Sequence, residues 1–568
     1  MSGQLSAAMA AGNIAEAATL AFAQAGLGVL SITELFGICG LLAGQDRPER
    51  AIALYQLWLR HCDTALNYAA HYNLAVLQAQ TGDQHGAEQA YRAALALQPG
   101  FTEALLGLGL LLERQRRPEQ ALACWQGPCD RIAADGSPAS ALQLQLLNHF
   151  GRVAATLRRY PQAEAAWSRS LQYDPQQASL IPHWVALRQQ QCMWPVLAPL
   201  PGLTPAQLLA ACPLASTLNA SDDPVLHLAA ARRQLAALPP PQPPGEADTD
   251  TDANLGNSAT PNGYQHARLR IGYLSSDGDA ALASLHDARQ FAIYLFCNAG
   301  IEGTAARPLA LPAPSLSIAD LSDAQAAELI RAHQIDILVD LHGHDSAGRP
   351  GVLALRPAPV QINWPGQPAS SGQQHVDYLL ADATLLPPQL AASISEQPLY
   401  LPQLFQWRPR PTPPARRGRR SAHGLPASGC VFCCFAPSTQ ITASQFGCWM
   451  RILLRAPASV LWLQADDEAL RDHLRLAALR HGVASERLVF AHSVPLPLQL
   501  ARYQVADLFL DTLPHNAAGS ASDALWAGLP LLSCSGHSLA SRTGASLLQA
   551  AGLPQLHTTT LEAYQQLA

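Results

Sequence analysis

The residues best suited to chemistry lie between positions 507 and 546, where an apolar run leads into a series of small residues. Residues 507–511 predict a short strand, residues 516–522 a loop, and residues 523–528 an amphipathic helical run. A second strand is predicted at residues 529–534. Backbone N–H groups at a helix start, together with the helix dipole, favour a bound anion. We therefore expect an anion site in this stretch, and a diphosphate is its natural ligand.

The bulk composition limits the kinds of protein that this chain can be. It has 568 residues, 49% of them hydrophobic and 14% charged, so it can form large cores and several domains. A net charge of -6 and a pI near 6.3 give no general attraction for nucleic acid. All 36 basic residues are arginine, because the sequence contains no lysine. No anion site in this chain can therefore contain a lysine side chain.

The targeting signals and the cysteines indicate a protein of the cytoplasm. The first residues lack a basic region followed by an apolar core, so no signal peptide is predicted. No uncharged apolar run is long enough to span a bilayer. Twelve cysteines lack the spacing of a zinc site, and Cys430, Cys433 and Cys434 fall in a strand-like run. Buried, reduced thiols are favoured over a metal site, and neither a membrane nor a nucleic acid is expected as a partner.

A period of about 34 residues runs through the first part of the chain. Units begin at residues 32, 68, 102 and 144, and small, aromatic and proline positions recur within them. The pattern resembles tetratricopeptide repeats, in which small residues let two helices approach and an aromatic side chain fills the gap behind them. Residues 6–27 predict a capping pair of helices. A concave peptide-binding surface is the functional interpretation, and a spacer or dimerisation arm is the alternative.

Beyond the repeats, the chain changes to a helical junction and then to alternating strands and helices. Residues 239–263 are rich in proline and acidic residues and predict a flexible linker or a long surface loop. The alternation that follows predicts parallel sheets with helices on both faces. A basic, proline-rich break at residues 408–420 is interpreted as an exposed loop between two lobes.

The predicted fold is an α-helical tetratricopeptide-repeat superhelix followed by an α/β, GT-B-like pair of Rossmann-like lobes. GT-B is the arrangement of many nucleotide-sugar transferases. The predicted domains are the repeats at 1–180, the junction and linker at 181–263, and the two lobes at 264–420 and 421–568.

Several strings, taken in order, carry a resemblance to a known family. They are HWVALRQQQCMWP, RLRIGYLSSD, LALRPAPVQINWPGQPASSG, VDYLLAD, ARYQVADLFLDT, SDALWAGLP and LASRTGAS. Placed after helical repeats, they resemble the O-GlcNAc transferase / SPINDLY family of protein glycosyltransferases over nearly the whole chain. The resemblance implies transfer of a sugar from UDP-GlcNAc (UDP-N-acetylglucosamine), or from another nucleotide sugar such as GDP-fucose, to Ser or Thr of a protein acceptor held along the repeats. It also implies an inverting mechanism that needs no metal and no cofactor.

The resemblance implies roles for several residues that match the family's motifs. His227, in DPVLHLAAAR, matches a histidine near the acceptor and sugar and is a candidate base; simple packing is its alternative role. Gly366 and Gly372 match the two ends of a loop beside the sugar. Arg502 matches an arginine near the nucleotide. Asp523 matches the aspartate that holds the ribose, and a helix N-cap is its alternative role.

Other positions depart from the family's motifs, mostly at the diphosphate. Gln440 stands where the family has a lysine, and Ala518, Gly519 and Ser520 replace its His-Thr-Thr. Gly519 still offers a backbone N–H and Ser520 a hydroxyl, so both remain candidates, with Gln440, for binding the UDP-sugar. A glutamine brings no charge, and the loss of a buried charge-assisted contact costs roughly 1.5–3 kcal/mol.

Further departures concern both lobes. Leu496 and Gln499 replace a lysine and a histidine, and residues 278–281 lack the family's Phe and His-Pro. Because family members continue beyond the position of Ala568, the second lobe is expected to be shortened. Together these losses remove most of the positive charge at the leaving group and would slow the reaction by several orders of magnitude. Two hypotheses follow: an active glycosyltransferase with an altered donor site, or a pseudoenzyme that serves as a repeat-based interaction scaffold.

Overall fold

The chain divides into two compact units. The computed structural model describes residues 2–134, 139–238, 264–275, 282, 284–298, 314–345, 348–364, 366–406 and 418–568. The first unit comprises residues 1–180 with 200–202, and the second comprises residues 181–199 with 203–568. The predicted linker at 239–263, the segment at 278–281 and residues 408–417 of the basic break fall outside the described residues.

The first unit consists of consecutive helices arranged as pairs. Within each pair, the turn contains one residue with a positive φ: Gly12, Asp46, Gly82, Arg116 and Arg158. Because this turn recurs at nearly regular intervals, each pair is one structural repeat. The bounds are Ser2–Ala10 (α1), Ile14–Gly26 (α2), Ile32–Gly44 (α3), Pro48–His61 (α4), Asn67–Gln80 (α5), Gln84–Leu97 (α6), Thr102–Arg114 (α7), Pro118–Ala134 (α8), Ala141–Thr156 (α9) and Tyr160–Tyr173 (α10).

Small residues opposite tryptophans hold the helices of a pair close together. Gly109 of α7 faces Trp125 of α8, and a Cβ on that glycine would lie 2.0 Å from the indole ring. The Trp125 indole N–H donates to the Leu105 carbonyl at 2.8 Å, so the ring is fixed as well as buried. Gly151 and Trp167 repeat this contact between α9 and α10. The repeat interpretation of the sequence is therefore confirmed by the helical architecture.

The second unit begins with four helices and continues into a lobe built on a parallel sheet of seven strands. The strand order is β3-β2-β1-β4-β5-β6-β7. The bounds are Ile181–Gln190 (α11), Pro205–Ala210 (α12), Leu214–Ala220 (α13), Pro224–Ala236 (α14), Leu269–Ser275 (β1), Phe291–Cys297 (β2), Ser315–Ser317 (β3), Asp323–Ala332 (α15), Ile337–Asp340 (β4), Pro350–Ala354 (α16), Val360–Asn363 (β5), Tyr378–Asp382 (β6) and Gln397–Leu401 (β7).

The second lobe is built on a parallel sheet of six strands. The strand order is β10-β9-β8-β11-β12-β13, so the predicted pair of Rossmann-like lobes is confirmed. The bounds are Val431–Cys434 (β8), Ala443–Arg455 (α17), Val460–Gln464 (β9), Glu468–Arg480 (α18), Leu488–Ala491 (β10), Leu496–Tyr503 (α19), Leu508–Leu510 (β11), Ala518–Trp526 (α20), Leu531–Cys534 (β12), Thr543–Ala550 (α21), His557–Thr558 (β13) and Leu561–Leu567 (α22).

The core of the second lobe is large and apolar. Trp449, Trp462 and Phe509 are fully buried in it, between the sheet and the flanking helices.

The twelve cysteines are free thiols, all buried except Cys124 and Cys430, which are partly exposed. Within the described residues, no helix is both long and apolar enough to cross a bilayer.

Candidate functional site

In both sheets the strand order reverses once, and this reversal defines the candidate site. The first sheet reverses between β1 and β4, and the second between β8 and β11. Ligands of open parallel sheets bind outside the carboxyl ends of the strands at such a reversal. In the second lobe, the connections that begin there are residues 435–442 and residues 511–517. These connections contain or adjoin the residues that the sequence places at the diphosphate.

Two hydrogen bonds fasten the connections at the second reversal to each other. The Thr442 hydroxyl donates to the Leu513 carbonyl at 3.1 Å. The Ser520 hydroxyl, on α20, donates to the Phe435 carbonyl at 3.0 Å. The turn that carries Gln440 and the start of α20 therefore lie side by side. The Ser520 hydroxyl proton is thus already bonded to the backbone, and the predicted contact of Ser520 with the UDP-sugar stays a prediction.

Helix α20 begins at Ala518, so the predicted loop over residues 516–522 is wrong from that residue onward. Ala518 and Ala521 favour a helix, whereas Gly519 and Ser520 do not, so propensity alone does not place the start of this helix. The preceding residue, Ala517, offers no side chain to cap the helix. The N–H groups of the first turn, including those of Gly519 and Ser520, therefore lack a partner within the helix. They are the backbone donors that an anion at this edge would use.

Asp511, the residue after β11, fixes the position of this helix start. Its buried carboxylate accepts from the Ala517 N–H at 2.7 Å, the Thr512 N–H at 2.9 Å and the Ser533 hydroxyl at 2.6 Å. Burial raises the pKa of the Asp511 carboxyl to about 6, because the charged form loses its hydration. A Cβ at Gly544 would lie 2.3 Å from Asp511 Oδ2. The sequence marked Asp511 only as a strand end, and its role was missed.

Asp523 is the sixth residue of α20, so the alternative role as a helix N-cap is wrong. An N-cap precedes the first turn, whereas Asp523 lies in the second turn. Burial above all, and also the negative charge of Asp523, raise the pKa of Tyr503 on α19. Asp523 itself is partly exposed. Its predicted contact with a ribose stays a prediction.

Gln440 ends a short 3-10 turn, Ser438–Gln440, that follows β8. The Ser438 hydroxyl donates to the Gln190 carbonyl at 2.7 Å and anchors the turn to the end of α11. Gln440 Oε1 is buried and has no hydrogen-bond partner among the residues that the structure describes. A buried amide oxygen without a partner is costly, and such groups mark places where water or a ligand belongs. The predicted contact of Gln440 with the UDP-sugar stays a prediction, and the side chain brings no charge.

Arg502 and Arg542 both donate to backbone carbonyls. The Arg502 guanidinium donates to the His492 carbonyl, beyond β10. Arg542 Nε donates to the Thr384 carbonyl at 3.0 Å, and its Nη1 donates to the Gly536 carbonyl at 3.2 Å. Burial lowers the pKa of both guanidinium groups. Among the described residues, neither arginine is bonded to the Gln440 turn.

Direct contacts join the two lobes and the junction helices. The Ser546 hydroxyl, in the second lobe, donates to the Asp382 carboxylate in the first lobe at 2.5 Å. Asp222, between α13 and α14, accepts from the His537 N–H at 2.7 Å and from the Ser538 hydroxyl at 2.8 Å. These bonds set the spacing between the elements that carry the candidate site.

In the first lobe, the two predicted glycines delimit a rigid loop after β5. A Cβ at Gly366 would lie 2.6 Å from the Leu341 carbonyl oxygen, so the backbone passes close to the end of β4. Gly372 has a φ of +74°, and its Cα packs against Ala231 of α14. The buried Glu396 carboxylate accepts from the Ser370 hydroxyl at 2.6 Å and fixes the loop between the glycines. The loop is thereby held against the helix that carries His227.

The variant Gly372→Ala is expected to destabilise the second unit by about 2–3 kcal/mol. A left-handed φ costs a residue with a Cβ roughly 1–2 kcal/mol, and the new Cβ would lie only 3.1 Å from the Ala231 Cβ. Gly482→Ala is the matched control, because Gly482 has a φ of +77° with nothing within 4 Å. Urea unfolding should show a larger loss for Gly372→Ala, and equal losses would mean that packing on α14 contributes nothing.

His227 and His515 both contact the end of α13 and the residue that follows it. His227 Nε2 lies 2.9 Å from the Ser221 carbonyl oxygen, and His515 Nδ1 lies 2.8 Å from Asn219 Oδ1. Burial lowers the pKa of both histidines, that of His515 to about 4, and the charge of His227 contributes to that shift. His515 lies in the connection after β11, at the reversal of the second sheet. Its imidazole ring therefore lies near the same end of α13 as His227, the candidate base. The sequence did not single out His515, although it lies in the stretch predicted to bind an anion.

The structure therefore groups some predicted site residues and separates others. Gln440, Gly519 and Ser520 lie together at the reversal of the second sheet. The first-lobe loop lies against α14, and α14 carries His227. Arg502 lies apart from them: its guanidinium donates to the carbonyl of His492, which follows the edge strand β10.

Comparison with known proteins gives one consistent family. The family described as glycosyl transferase family 41 matches residues 257–407 and 416–568. A probable UDP-N-acetylglucosamine–peptide N-acetylglucosaminyltransferase SEC of Arabidopsis thaliana is 29% identical over 53% of this chain and 32% of its own length. A UDP-N-acetylglucosamine–peptide N-acetylglucosaminyltransferase of Caenorhabditis elegans is 25% identical over 53% of this chain and 37% of its own length. The chain thus spans about a third of the length of these relatives.

Among solved structures, a mutant of the Thermobaculum terrenum O-GlcNAc transferase is similar over most of the chain. It is 27% identical, the match covers 88% of both chains, and the TM-score is 0.54. The likeness includes the helical repeats as well as the two lobes.

Proposed function

Because the chain belongs to glycosyl transferase family 41, we propose that it is a protein O-glycosyltransferase with a nucleotide sugar as donor. The proposed donor is UDP-GlcNAc, the compound for which its relatives are named. The proposed acceptor is a Ser or Thr hydroxyl of a protein. One observation carries the proposal. The start of α20 has no side-chain cap and lies at the strand-order reversal, where hydrogen bonds join α20 and the loop before it to the connection that contains Gln440.

In the proposed reaction, the acceptor oxygen bonds to the anomeric carbon of the sugar as the bond from that carbon to the diphosphate oxygen breaks. Attack from the face opposite the leaving group inverts the anomeric centre. The hydroxyl proton passes to a base, for which we propose His227. Its Nε2 must carry a proton, because the Ser221 carbonyl can only accept a hydrogen bond. We propose that Nδ1 holds the basic electron pair; burial lowers the pKa of His227, so the ring is neutral near pH 7.

The leaving diphosphate would be stabilised by the protein alone, without a metal or cofactor. The N–H groups of Gly519 and Ser520 would donate to it, aided by the dipole of α20. The Gln440 side chain would add a neutral contact. Asp523 is proposed to hold the ribose, and Arg502, which bonds to the backbone beyond β10, is proposed to lie near the nucleotide. This set is less positive than a lysine-containing site, so a slow reaction is expected.

The repeats are proposed to present the acceptor. A superhelix of helix pairs offers an extended concave surface, which suits a peptide in an extended conformation. We propose the cytoplasm as the compartment, because the thiols are free and mostly buried.

A second candidate is a catalytically inactive scaffold that keeps the fold and binds a protein partner through its repeats. Two observations favour it: the chain contains no lysine, and Arg502 and Arg542 already donate hydrogen bonds to backbone carbonyls. In this case the lobes bind a nucleotide sugar without turnover, or do not bind one.

Thermal unfolding with ligands tests the first candidate. UDP and UDP-GlcNAc at about 1 mM should raise Tm by at least about 2 °C, whereas GDP-fucose should not, because binding to the folded state alone stabilises it. Release of UDP from UDP-GlcNAc in the presence of acceptor protein then separates the two candidates. Stabilisation without UDP release supports the scaffold. No shift with any of the three nucleotides contradicts the transferase proposal.

A further inference from the structure

A cavity on the first lobe lies outside the proposed donor site. Its volume is about 590 Å³, and it is formed by the end of α14, the start of α15, helix α16 and residues 372–375. Among the described residues, none from the second lobe lines it. Its walls are largely apolar and include Leu235, Ala236, Leu238, Pro350 and Ala354. Cavities of this size with apolar walls and few polar groups are the usual form of a small-molecule site.

One polar side chain in the wall has no partner. Gln373 is 6% exposed, and its Oε1 is buried without a hydrogen bond to any described residue. Its backbone N–H donates to the Ser371 hydroxyl at 3.2 Å, so the side-chain oxygen is the atom of Gln373 left without a partner. A buried amide oxygen without a partner is costly, and a ligand that donates a hydrogen bond to it recovers that cost.

The charge of the cavity is positive. Arg232 is exposed at the wall and forms no ion pair with any described residue. The carboxylate in the wall, Asp323, is already neutralised by Arg349, whose Nη2 lies 2.7 Å from Asp323 Oδ1. The guanidinium of Arg232 is therefore the uncompensated charge, and it stands beside apolar walls.

We propose that this cavity binds a small amphipathic anion, with an apolar body on the α14 and α16 walls and a negatively charged head group on Arg232. The Gln373 amide bonds to a polar atom between the two ends. This ligand is distinct from the nucleotide sugar, because the cavity shares only Gly372 with the proposed donor site. The proposal therefore does not depend on the glycosyltransferase activity.

The probe for this site is 8-anilinonaphthalene-1-sulfonate, which combines aromatic rings, an N–H group and a sulfonate. Its fluorescence should rise and saturate with one site when it is titrated into the full chain. Decanoate should displace it, whereas decanol, which has the same apolar body without a charge, should compete at least tenfold less well. Decanoate and benzoate as separate competitors then distinguish an acyl ligand from an aromatic one.

Variants on α14 locate the bound probe. Arg232→Gln should weaken binding at least fivefold, whereas Arg233→Gln, at the neighbouring exposed arginine that does not line the cavity, should leave it unchanged. Ala236→Trp, at an exposed helical position of the rim, should block the cavity and abolish binding. Circular dichroism and the Tm shift with UDP check that each variant is folded.

Equal binding by the Arg232 and Arg233 variants would overturn the proposal, since the probe would then lie elsewhere. Competition by decanol as strong as that by decanoate would overturn the assignment of an anionic ligand. Loss of UDP binding with retained probe binding would count against the donor site and leave this inference standing.

Discussion

Replacing Asp511 with alanine is expected to lower the free energy of unfolding of the second unit by about 3–5 kcal/mol at pH 7. The change removes the acceptor of the Ala517 N–H, the Thr512 N–H and the Ser533 hydroxyl, all within a buried site. The start of α20 would lose its anchor, so the Tm shift with UDP should also disappear. Urea unfolding followed by circular dichroism measures the first effect, and thermal unfolding with UDP measures the second.

Asp472→Ala is the matched control, because its carboxylate is 67% exposed and bonds to Arg475 at the surface. A surface ion pair of this kind contributes at most about 1 kcal/mol. If both variants lose equally little stability, Asp511 does not fix the helix start.

The pH dependence of stability gives an independent test of the Asp511 environment. Its carboxyl has a pKa of about 6 in the folded state, above its ordinary value of 3.8. The folded state therefore holds the proton more tightly than the unfolded state. This contribution to stability is complete below about pH 4 and is lost as the pH rises through 6, a loss of about 3 kcal/mol.

Asp511→Asn removes this titration while keeping the size of the side chain. The difference in unfolding free energy between the wild type and Asp511→Asn should therefore change between pH 4.5 and 7, with the wild type falling relative to the variant. A constant difference would show that the carboxyl titrates normally.

The variant Gln440→Lys is expected to bind UDP about 10–100-fold more tightly than the wild type. An ammonium group in the position of the buried, unpaired Gln440 amide oxygen would form a charge-assisted contact of roughly 1.5–3 kcal/mol with a diphosphate. Without ligand, the same charge is partly buried and lowers the Tm slightly. Calorimetric titration with UDP measures the gain in affinity.

Gln440→Met is the control for this variant, since it has a similar length and no charge. It should show no gain in UDP affinity. The absence of lysine in the wild-type chain adds a second measurement, because an amine-reactive reagent then modifies only the N-terminus and the introduced side chain. UDP should protect that side chain from modification, and unhindered labelling at saturating UDP would place it outside the site.

Much of the fold could be predicted because it depends on local periodicity. Gly109 and Trp125 stand at the spacing of a helix pair, and the apolar runs that become β8 and β9 are bounded by turn residues. The strands β3, β7 and β13 are short or largely exposed and lack an apolar alternation, so the sequence does not distinguish them from loops.

The site was less predictable, because its contacts join residues that are distant in sequence. Nothing near His515 shows that its ring bonds to Asn219, and nothing near Asp511 shows that Ser533 donates to it. The start of α20 was misplaced because Gly519 and Ser520 have low helix propensity, whereas the fold and Asp511 determine where the helix begins.

The bonds of Asp222 to the second lobe have a consequence for synthesis of the protein. Its partners, His537 and Ser538, follow it by 315 and 316 residues. At about 5–20 residues per second, a ribosome adds that length in roughly 15–60 s, while the preceding lobe can already fold. Throughout that interval, α13 and α14 have left the ribosome, but residues 537–538, which bond to Asp222, have not yet been synthesised. During that interval, the surface of the junction that will contact residues 537–538 stays uncovered.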